Sequence, residues 1–379
     1  MIAILTLAIW LYLIFLHGNF WRSGPELRPQ PAAMPLSAAL PARPAPAVDI
    51  IVPARDEATT IAPVIESLLA QDYAGPFRVI LVDDRSTDGT GQIARAAARG
   101  DARLVVLTGA DKPAGWSGKL WALSQGAARS SAELILFTDA DIVHDPRHLV
   151  TLVSRIQAPR VDMVSEMVRL NCQSLAERAL IPAFVYFFQM LYPFARVNDP
   201  LSATAAAAGG TVLIRRTALE RIGGIAAIKG ALIDDVTLAR AVKQGGPVFL
   251  GHSGLARSIR PYPHPGEIWD MIARTAFTQL RYSAAMLALT IIGLSLVWLA
   301  PVLALILGHG VTFYCGLIAC LLAAFSYFPT LERYRLSKLW ALALPLIALF
   351  YMAATIGSAI QHWRGRGAQW KNRAYAEGR

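Results

Sequence analysis

Cysteine is scarce in this chain of 379 residues: there are three, and they offer neither a paired framework nor metal-ligand spacing. Cys315 and Cys320 lie inside an apolar run and Cys172 stands alone, so all three are expected to be reduced packing residues. Charge is thin as well. Asp, Glu, Lys and Arg make up 16% of the chain and hydrophobic residues 55%, where a typical soluble domain carries about 25% charged residues. Part of the chain is therefore expected to sit in lipid. RNA- and DNA-binding motifs are also absent, and the aromatic residues sit in apolar runs rather than between basic ones. The net charge of +10 comes largely from basic residues that flank apolar segments or end the chain. That placement fits anionic lipid headgroups, so the expected partner is a membrane and not a nucleic acid.

Met1 to Trp21 contains no Asp, Glu, Lys or Arg and is long enough for one anchor helix of about 20 residues. It lacks the basic start of a cleaved signal peptide, so a retained anchor is expected. The Pro- and Ala-rich stretch 22–47 reads as a linker. From Val48 to about Leu250, short β-branched runs alternate with helical patterns, the mark of an α/β domain with a mostly parallel sheet. Strands are predicted at Asp49 to Val52, Arg78 to Val82, Leu104 to Leu107, Leu134 to Thr138 and Val212 to Arg215. Helices are predicted at Thr60 to Ala70, Gly91 to Ala98, Leu120 to Arg129 and Arg147 to Arg155. Arg281 and Glu332 bracket a stretch with no charge, which suits a helical hairpin turning at Gly308, His309 and Gly310. A further apolar run, Leu339 to Ile360, is either a span or a re-entrant segment broken at Pro345. A basic tail, 362–379, follows it. The organisation expected is an anchor over 1–21, a linker over 22–47, the α/β domain over 48–282, membrane segments over 283–361 and the tail.

Ligands of open α/β sheets bind beyond the carboxyl ends of the strands, so the acids placed there carry the most information. The first strand runs into Pro53-Ala54-Arg55-Asp56-Glu57, with no Gly-rich turn, which excludes a dinucleotide-binding dehydrogenase. Asp56 either serves the site or caps the next helix. The second strand ends in Asp83-Asp84-Arg85-Ser86-Thr87-Asp88-Gly89-Thr90. Adjacent carboxylates repel unless they accept from donors such as a base N–H or a ribose hydroxyl. The alternative is that Asp83 and Asp84 begin a turn, and for Asp88 helix capping is the expectation. Leu134 to Phe137 runs into Thr138-Asp139-Ala140-Asp141, an Asp-x-Asp pair. Two hard oxygen ligands at that spacing suit Mg²⁺ or Mn²⁺ when phosphates and water complete the shell. Further on, Asp234 and Asp235 open a helical pattern, either as caps or with one acting as a general base.

Taken in order, these motifs resemble glycosyltransferase family 2, whose catalytic domain has the fold called GT-A. Val48 to Glu57 looks like the family's opening strand and Val82 to Thr90 like its nucleotide-binding turn. Gly118-Lys119-Leu120 is similar to its Gly-Lys helix start, and Thr138 to Asp141 to its metal motif. The resemblance covers about residues 48–285. It implies that Asp56, Asp83 and Asp84 contact the nucleotide and that Lys119 belongs to the substrate site. It implies further that Asp139 and Asp141 bind ribose and metal-diphosphate, and that Asp235 is the base beside Asp234, where the family has Glu-Asp. Gln279-Leu280-Arg281-Tyr282 looks like a degenerate Gln-x-x-Arg-Trp motif, one residue short and with Tyr for Trp. Gln279 and Arg281 then either bind substrate or belong to an interfacial helix.

Within the family, the terminal anchors and the segments Thr275 to Tyr282 and Ser326 to Thr330 look most like the hopanoid-biosynthesis-associated glycosyltransferases. The resemblance thus implies an integral protein of the bacterial inner membrane, with its catalytic domain cytoplasmic. It would move a sugar, with inversion, from a nucleotide-sugar donor such as a UDP-sugar to a lipid acceptor. Ile181 to Phe194, apolar and aromatic but too short to span, is either an interfacial helix beside the site or a buried one. The competing readings are a processive polysaccharide synthase, which needs a polymer channel, and a non-catalytic membrane scaffold, which has no need of the five acids Asp83, Asp84, Asp139, Asp141 and Asp235.

Overall fold

The computed structural model describes residues 1–29, 44–157, 161–365, 369–370 and 373–374. Most of the expected linker and much of the basic tail lie outside the described residues. The chain divides into two compact units: Met1–Gly24, Asn171–Arg196 and Pro261–Ala368 form one, and Pro25–Leu170, Val197–Arg260 and Gln369–Arg379 the other.

The second unit is built on an eight-stranded sheet. Its strands are β1 (Val48–Ala54), β2 (Phe77–Asp83), β3 (Leu104–Thr108), β4 (Leu134–Thr138), β5 (Ile142–His144), β6 (Met163–Arg169), β7 (Thr211–Arg215) and β8 (Val248–Ser258), in the order β3-β2-β1-β4-β7-β6-β8-β5. The sheet is mixed: β3-β2-β1-β4 is parallel, β7 is antiparallel to β4 and β6, β8 runs parallel to β6, and β5 antiparallel to β8. β1 and β4 are buried on both faces, as strands of a helix-covered sheet are, and the one buried charge in β1, Asp49, accepts from Arg78 at 2.8 and 2.9 Å. The helices Ile61–Leu69, Thr90–Ala97, Gly118–Arg129 and His148–Gln157 lie within a residue or two of their predicted bounds.

The parallel half fixes where a cleft can open. From β1 the chain winds outward to β2 and β3, then returns to place β4 on the other side of β1, so the reversal in strand order falls between β1 and β4. The β1–β4 ladder ends at Ile51 paired with Phe137, whereas β1 continues beside β2 to Ala54. Pro53 lies beyond the end of the β1–β4 ladder, where no partner on that side needs its missing N–H.

The first unit is helical. Ala284–Leu307, Val311–Arg333 and Lys338–Trp363 are long and apolar enough to cross a membrane. The first two are joined through Gly308, His309 and Gly310, as the sequence suggests. Pro345 falls in the first turn of the helix Leu344–Trp363, where its missing N–H costs nothing, and it does not break the segment. The N-terminal helix is Ile2–Phe15. Its 14 residues span about 21 Å, less than the hydrocarbon core of about 30 Å. Leu175–Leu191 buries Ile181, Val185 and Tyr186, and the Tyr186 hydroxyl meets Ser326 Oγ at 2.7 Å. All three cysteines are free.

One irregularity in this unit has a chemical cause. Pro301 cannot donate to the carbonyl of Val297 four residues earlier, and the helix widens into a π turn over Ser295–Leu299. The Val297 carbonyl instead accepts the Trp10 indole N–H at 2.9 Å, and the Leu296 carbonyl accepts the Thr6 hydroxyl. In an apolar surrounding each such carbonyl needs a donor. Trp10→Phe keeps a ring against Trp298, 5.2 Å away, but removes the donor. We expect a loss of about 1 kcal/mol, seen as a thermal midpoint a few degrees lower for the full chain in detergent, with a larger fall for Trp10→Ala. A Trp10→Phe midpoint equal to the parent's would mean that this bond contributes nothing.

Candidate active site

The cleft opens where β1 and β4 part. It is open to solvent and is lined by Pro53, Phe137, Thr138 and Asp139 from the strand ends, by Lys119, Leu120 and Leu123 from one helix, and by Gly209, Asp234 and Asp235. Four of the residues singled out in the sequence therefore meet here: Lys119, Asp139, Asp234 and Asp235.

Lys119 is the hub. It is the second residue of the helix Gly118–Arg129, which is capped by Ser117 Oγ accepting the Leu120 N–H at 3.2 Å. A cation in a first helical turn opposes the helix dipole, so acids have to hold it there. Lys119 Nζ lies 2.9 Å from Asp139 Oδ1 and 3.3 Å from Asp234 Oδ2. Burial works against the ammonium, yet Asp139, Asp234 and Asp235 outweigh it and hold the Lys119 pKa above the ordinary lysine value.

Asp235 stands beside this pair. Its Oδ2 accepts the Gly209 N–H at 2.9 Å and its Oδ1 the Val236 N–H at 2.7 Å. A Cβ at Gly209 would stand 3.3 Å from Asp235 Oδ2, a tight contact that Asp235 could relieve only by shifting a few tenths of an ångström. Burial first, and then the Asp234 charge, raise the Asp235 pKa to about 7 against the opposing Lys119 and the two N–H donors. Burial likewise pushes Asp139 up; Lys119 pulls it down, and Asp141 and Asp234 add to the rise.

Asp141, two residues on, faces a different cation. Its Oδ2 accepts Arg260 Nε at 2.9 Å and Ser258 Oγ at 3.2 Å, and Arg260 also donates to both oxygens of Glu57 at 2.7 and 2.9 Å. Among the described residues no group of three or more His, Cys, Asp or Glu converges as a metal site. The donor set here is the two hard carboxylates of Asp139 and Asp141. It fits Mg²⁺ or Mn²⁺ arriving with a diphosphate better than a resident ion with a full protein shell.

The acids of the first two strands form a second group. Asp84 is buried at the end of β2; its N–H donates to the Ala54 carbonyl at 2.8 Å, and its own carbonyl accepts Arg55 Nη1 at 2.6 Å. Asp83 Oδ1 accepts the Ser86 N–H at 2.9 Å, the turn the sequence offers as one reading. Asp56, at φ 50°, accepts the Thr87 N–H at 2.8 Å and does not cap the helix that follows. Asp88 accepts the Thr90 N–H at 3.1 Å and the Ala58 N–H at 2.9 Å, a local structural role. Gln279 and Arg281 lie in the helical unit. Gln279 Nε2 donates to the Tyr192 hydroxyl, and Arg281 and Tyr282 both have positive φ at the helix end. Glu57, Ser258 and Arg260 are the polar site residues that sequence reasoning missed. Arg260 follows β8, which was not recognised as a strand, and so its place after a strand end was hidden.

The comparisons fit this geometry. Residues 49–223 match the family described as "Glycosyl transferase family 2". An N-acetylglucosaminyltransferase of Azorhizobium caulinodans is 34% identical over 117 residues, 31% of this chain and 29% of that protein. A Nostoc protein named beta-monoglucosyldiacylglycerol synthase is 28% identical over 180 residues, 47% of this chain and 38% of that one. This chain thus spans less than two fifths of either relative's length. In fold it is similar to the mannosyltransferase PcManGT of Pyrobaculum calidifontis, solved with GDP-Man and Mn²⁺. The TM-score is 0.55 at 20% identity, over 96% of this chain and 99% of that one. The sheet has the GT-A fold. The stretch matched by the family, 49–223, includes Asp56, Asp83, Asp84, Lys119, Asp139 and Asp141 and stops short of Asp234 and Asp235.

Lys119 compensates three acids, so its removal should be pH-dependent in effect. A carboxyl raised from 3.8 to about 7 in the folded state contributes stability at low pH that is lost as pH rises through the folded value. In Lys119→Met that value moves higher, because a cation that lowers it is gone. The gap in thermal midpoint between parent and variant should therefore widen from about pH 6 to about pH 8.5. A gap constant across that range would show that Lys119 does not offset the carboxylates.

Proposed function

We propose that the chain is an inverting glycosyltransferase that moves a sugar from a nucleotide-sugar, a UDP-sugar on the family resemblance, to a membrane lipid. The observation that carries the reading is the cleft itself. Asp235, raised to about 7, lies beside Lys119, which ties Asp139 to Asp234 at 2.9 and 3.3 Å. A carboxylate poised near neutrality is suited to take a proton and to lose it again.

In the mechanism proposed, Asp235 removes the proton from the acceptor hydroxyl as the hydroxyl oxygen attacks the anomeric carbon. One C–O bond forms, the C–O bond to the diphosphate breaks on the opposite face, and the bond electrons leave with the nucleoside diphosphate. The N–H groups of Gly209 and Val236 and the nearby Lys119 ammonium hold the Asp235 carboxylate in place. Asp139 and Asp141 would hold a divalent cation, Mg²⁺ or Mn²⁺, which when bound supplies charge to neutralise the diphosphate. Asp56, Asp83 and Asp84, gathered at the ends of the first two strands, would take the nucleoside. Lys119 would keep the acids apart in charge, and Asp234 would orient it.

A lipid acceptor is supported by three helices long and apolar enough to cross a membrane and by the glycolipid in the name of the Nostoc relative. A hopanoid or another polyprenoid lipid is the class that the subgroup resemblance adds. The same resemblance supports a bacterial inner-membrane protein with the sheet unit in the cytoplasm.

The test is release of nucleoside diphosphate by the full chain in lipid nanodiscs, over UDP-, GDP- and TDP-sugars with and without a lipid extract. One donor should serve, and a chelator or Asp141→Ala should stop the reaction. Asp235→Asn should lower the rate on the order of 10²–10⁴-fold. No release from any donor, or full activity in Asp235→Asn, would sink the proposal.

The pH profile tests the base independently. The rising limb of kcat/KM should have its midpoint near the Asp235 value of about 7. Asp234→Asn removes a charge that raises that value, so its limb should move to lower pH. A limb that stays in place, or moves up, would exclude Asp235 as the titrating base.

A further inference from the structure

Behind the cleft runs a line of buried polar side chains that the proposed mechanism leaves unused. Glu166 on β6 is fully buried, His148 opens the helix His148–Gln157, and His144 ends β5. Glu166 Oε1 lies 2.8 Å from His148 Nε2, His148 Nδ1 lies 3.0 Å from His144 Nδ1, and His144 Nε2 lies 3.1 Å from Thr138 Oγ1. Thr138 is the last residue of β4 and lines the cleft directly before Asp139.

His144 is a neutral ring, since burial and the neighbouring His148 hold its pKa well below the ordinary value. A neutral imidazole donates from one nitrogen and accepts at the other, so the line runs in one of two directions. If the Thr138 hydroxyl donates to the Gly210 carbonyl, 3.0 Å away, its Oγ1 accepts His144 Nε2–H and His148 donates Nδ1–H to His144 Nδ1. If the hydroxyl donates to His144 Nε2, His144 donates Nδ1–H to His148 Nδ1 and His148 donates Nε2–H to Glu166 Oε1. In both directions each ring is tied to a single tautomer by its neighbours, and Glu166 sets the end of the line. The other Glu166 oxygen, Oε2, is buried with no hydrogen-bond partner among the described residues. Glu166 thus addresses the chain through one atom, at its head.

The far end of the chain meets the active site at one carbonyl. Gly210 C=O gathers the Thr138 hydroxyl, the Thr211 hydroxyl at 2.8 Å and the Asp139 N–H at 3.3 Å. The adjoining Gly209 N–H holds Asp235. β6 grips the same segment a second time, for Ser165 Oγ accepts the Ala208 N–H at 2.8 Å and donates to the Ala208 carbonyl at 3.1 Å.

We infer that Glu166, His148 and His144 are positioning residues: a buried hydrogen-bond chain that orients Thr138 and the Gly209–Gly210 turn, and through them sets Asp139 and Asp235 for the transfer. This inference rests on the function proposed above for Asp139 and Asp235. Breaking the chain at Glu166 frees the tautomers of both rings, takes from Thr138 its oriented partner and loosens both acids at once.

The test uses the full chain in lipid nanodiscs, with Glu166→Leu and Glu166→Gln, kcat being counted per folded molecule. The Gln side chain can donate to or accept from His148 Nε2 and so preserves the chain, whereas Leu can do neither. Glu166→Leu should lose on the order of 10- to 100-fold in kcat, and Glu166→Gln should stay within about threefold of the parent. The second readout is nitrogen NMR of histidine-labelled protein. It should show one neutral tautomer of His144 in the parent, kept in Glu166→Gln and lost in Glu166→Leu. Unchanged kcat in Glu166→Leu, or a His144 tautomer that Glu166→Leu leaves unchanged, overturns the inference. If the parent transfers sugar from no donor, the functional reading has failed separately. The chain is then judged by its tautomers alone, upheld by a His144 tautomer that Glu166→Leu loses and refuted by one that it keeps.

Discussion

One ammonium holds the active-site cleft together. Asp139, Asp234 and Asp235 come from two separate parts of the chain and would repel one another in a partly buried cleft. Lys119 reaches two of them at 2.9 and 3.3 Å and lowers the pKa of the third. It does so from a helix turn where the backbone dipole disfavours it. A lysine held so tightly by acids stays charged, and its fixed charge lets Asp235 rise to about 7 and no further. The carboxylates and the cation form one electrostatic object, and no member of it has a property that survives removal of the others.

The sheet determines where that object can form. In a purely parallel sheet the strand order would still reverse beside β1, but β4 would have a parallel neighbour on its far side. Here β7 runs antiparallel to β4, which brings the start of β7, with Gly209 and Gly210 just before it, to the same end of the sheet as Asp139. The turn that holds Asp235 through its N–H therefore sits beside the Asp-x-Asp pair by topology. The β1–β4 ladder stops at Ile51 and Phe137, and the proline that follows in β1 keeps the gap from closing by hydrogen bonding.

Much of the parallel half was legible in the sequence, because its strands are mostly apolar and β-branched and acids stand directly after three of them. β4 was read to its exact bounds, Leu134–Thr138, and Asp139 and Asp141 with it. In the other half β7 was legible within a residue, as Val212 to Arg215, but its neighbours were hidden for equally physical reasons. β6 carries Ser165 and Glu166 in its buried interior, and β8 is interrupted by Gly251, His252 and Gly254, so neither reads as a core strand. Arg260 and Ser258 went unseen with β8. The meeting of Lys119 with Asp234 was not legible either, since no local pattern ties residues so far apart in the sequence. Asp56 was ambiguous in the sequence, and its positive φ and its bond to Thr87 N–H remove helix capping from its possible roles.

The two units obey one rule. In the helical unit Pro301 takes a donor from Val297, and the deficit is made good by Trp10, a residue from the start of the chain. In the sheet unit Glu166, His148, His144 and Thr138 satisfy one another in a buried line of hydrogen bonds. In each case a buried polar atom that cannot be satisfied locally selects a specific distant partner, because leaving it unpaired in an apolar surrounding costs more than ordering the partner. Such bonds add little net stability compared with apolar packing, but they are selective. An apolar contact tolerates a shifted neighbour, whereas a carbonyl in need of a donor accepts few alternatives. Selectivity of this kind is what a site built from residues scattered between 119 and 235 requires.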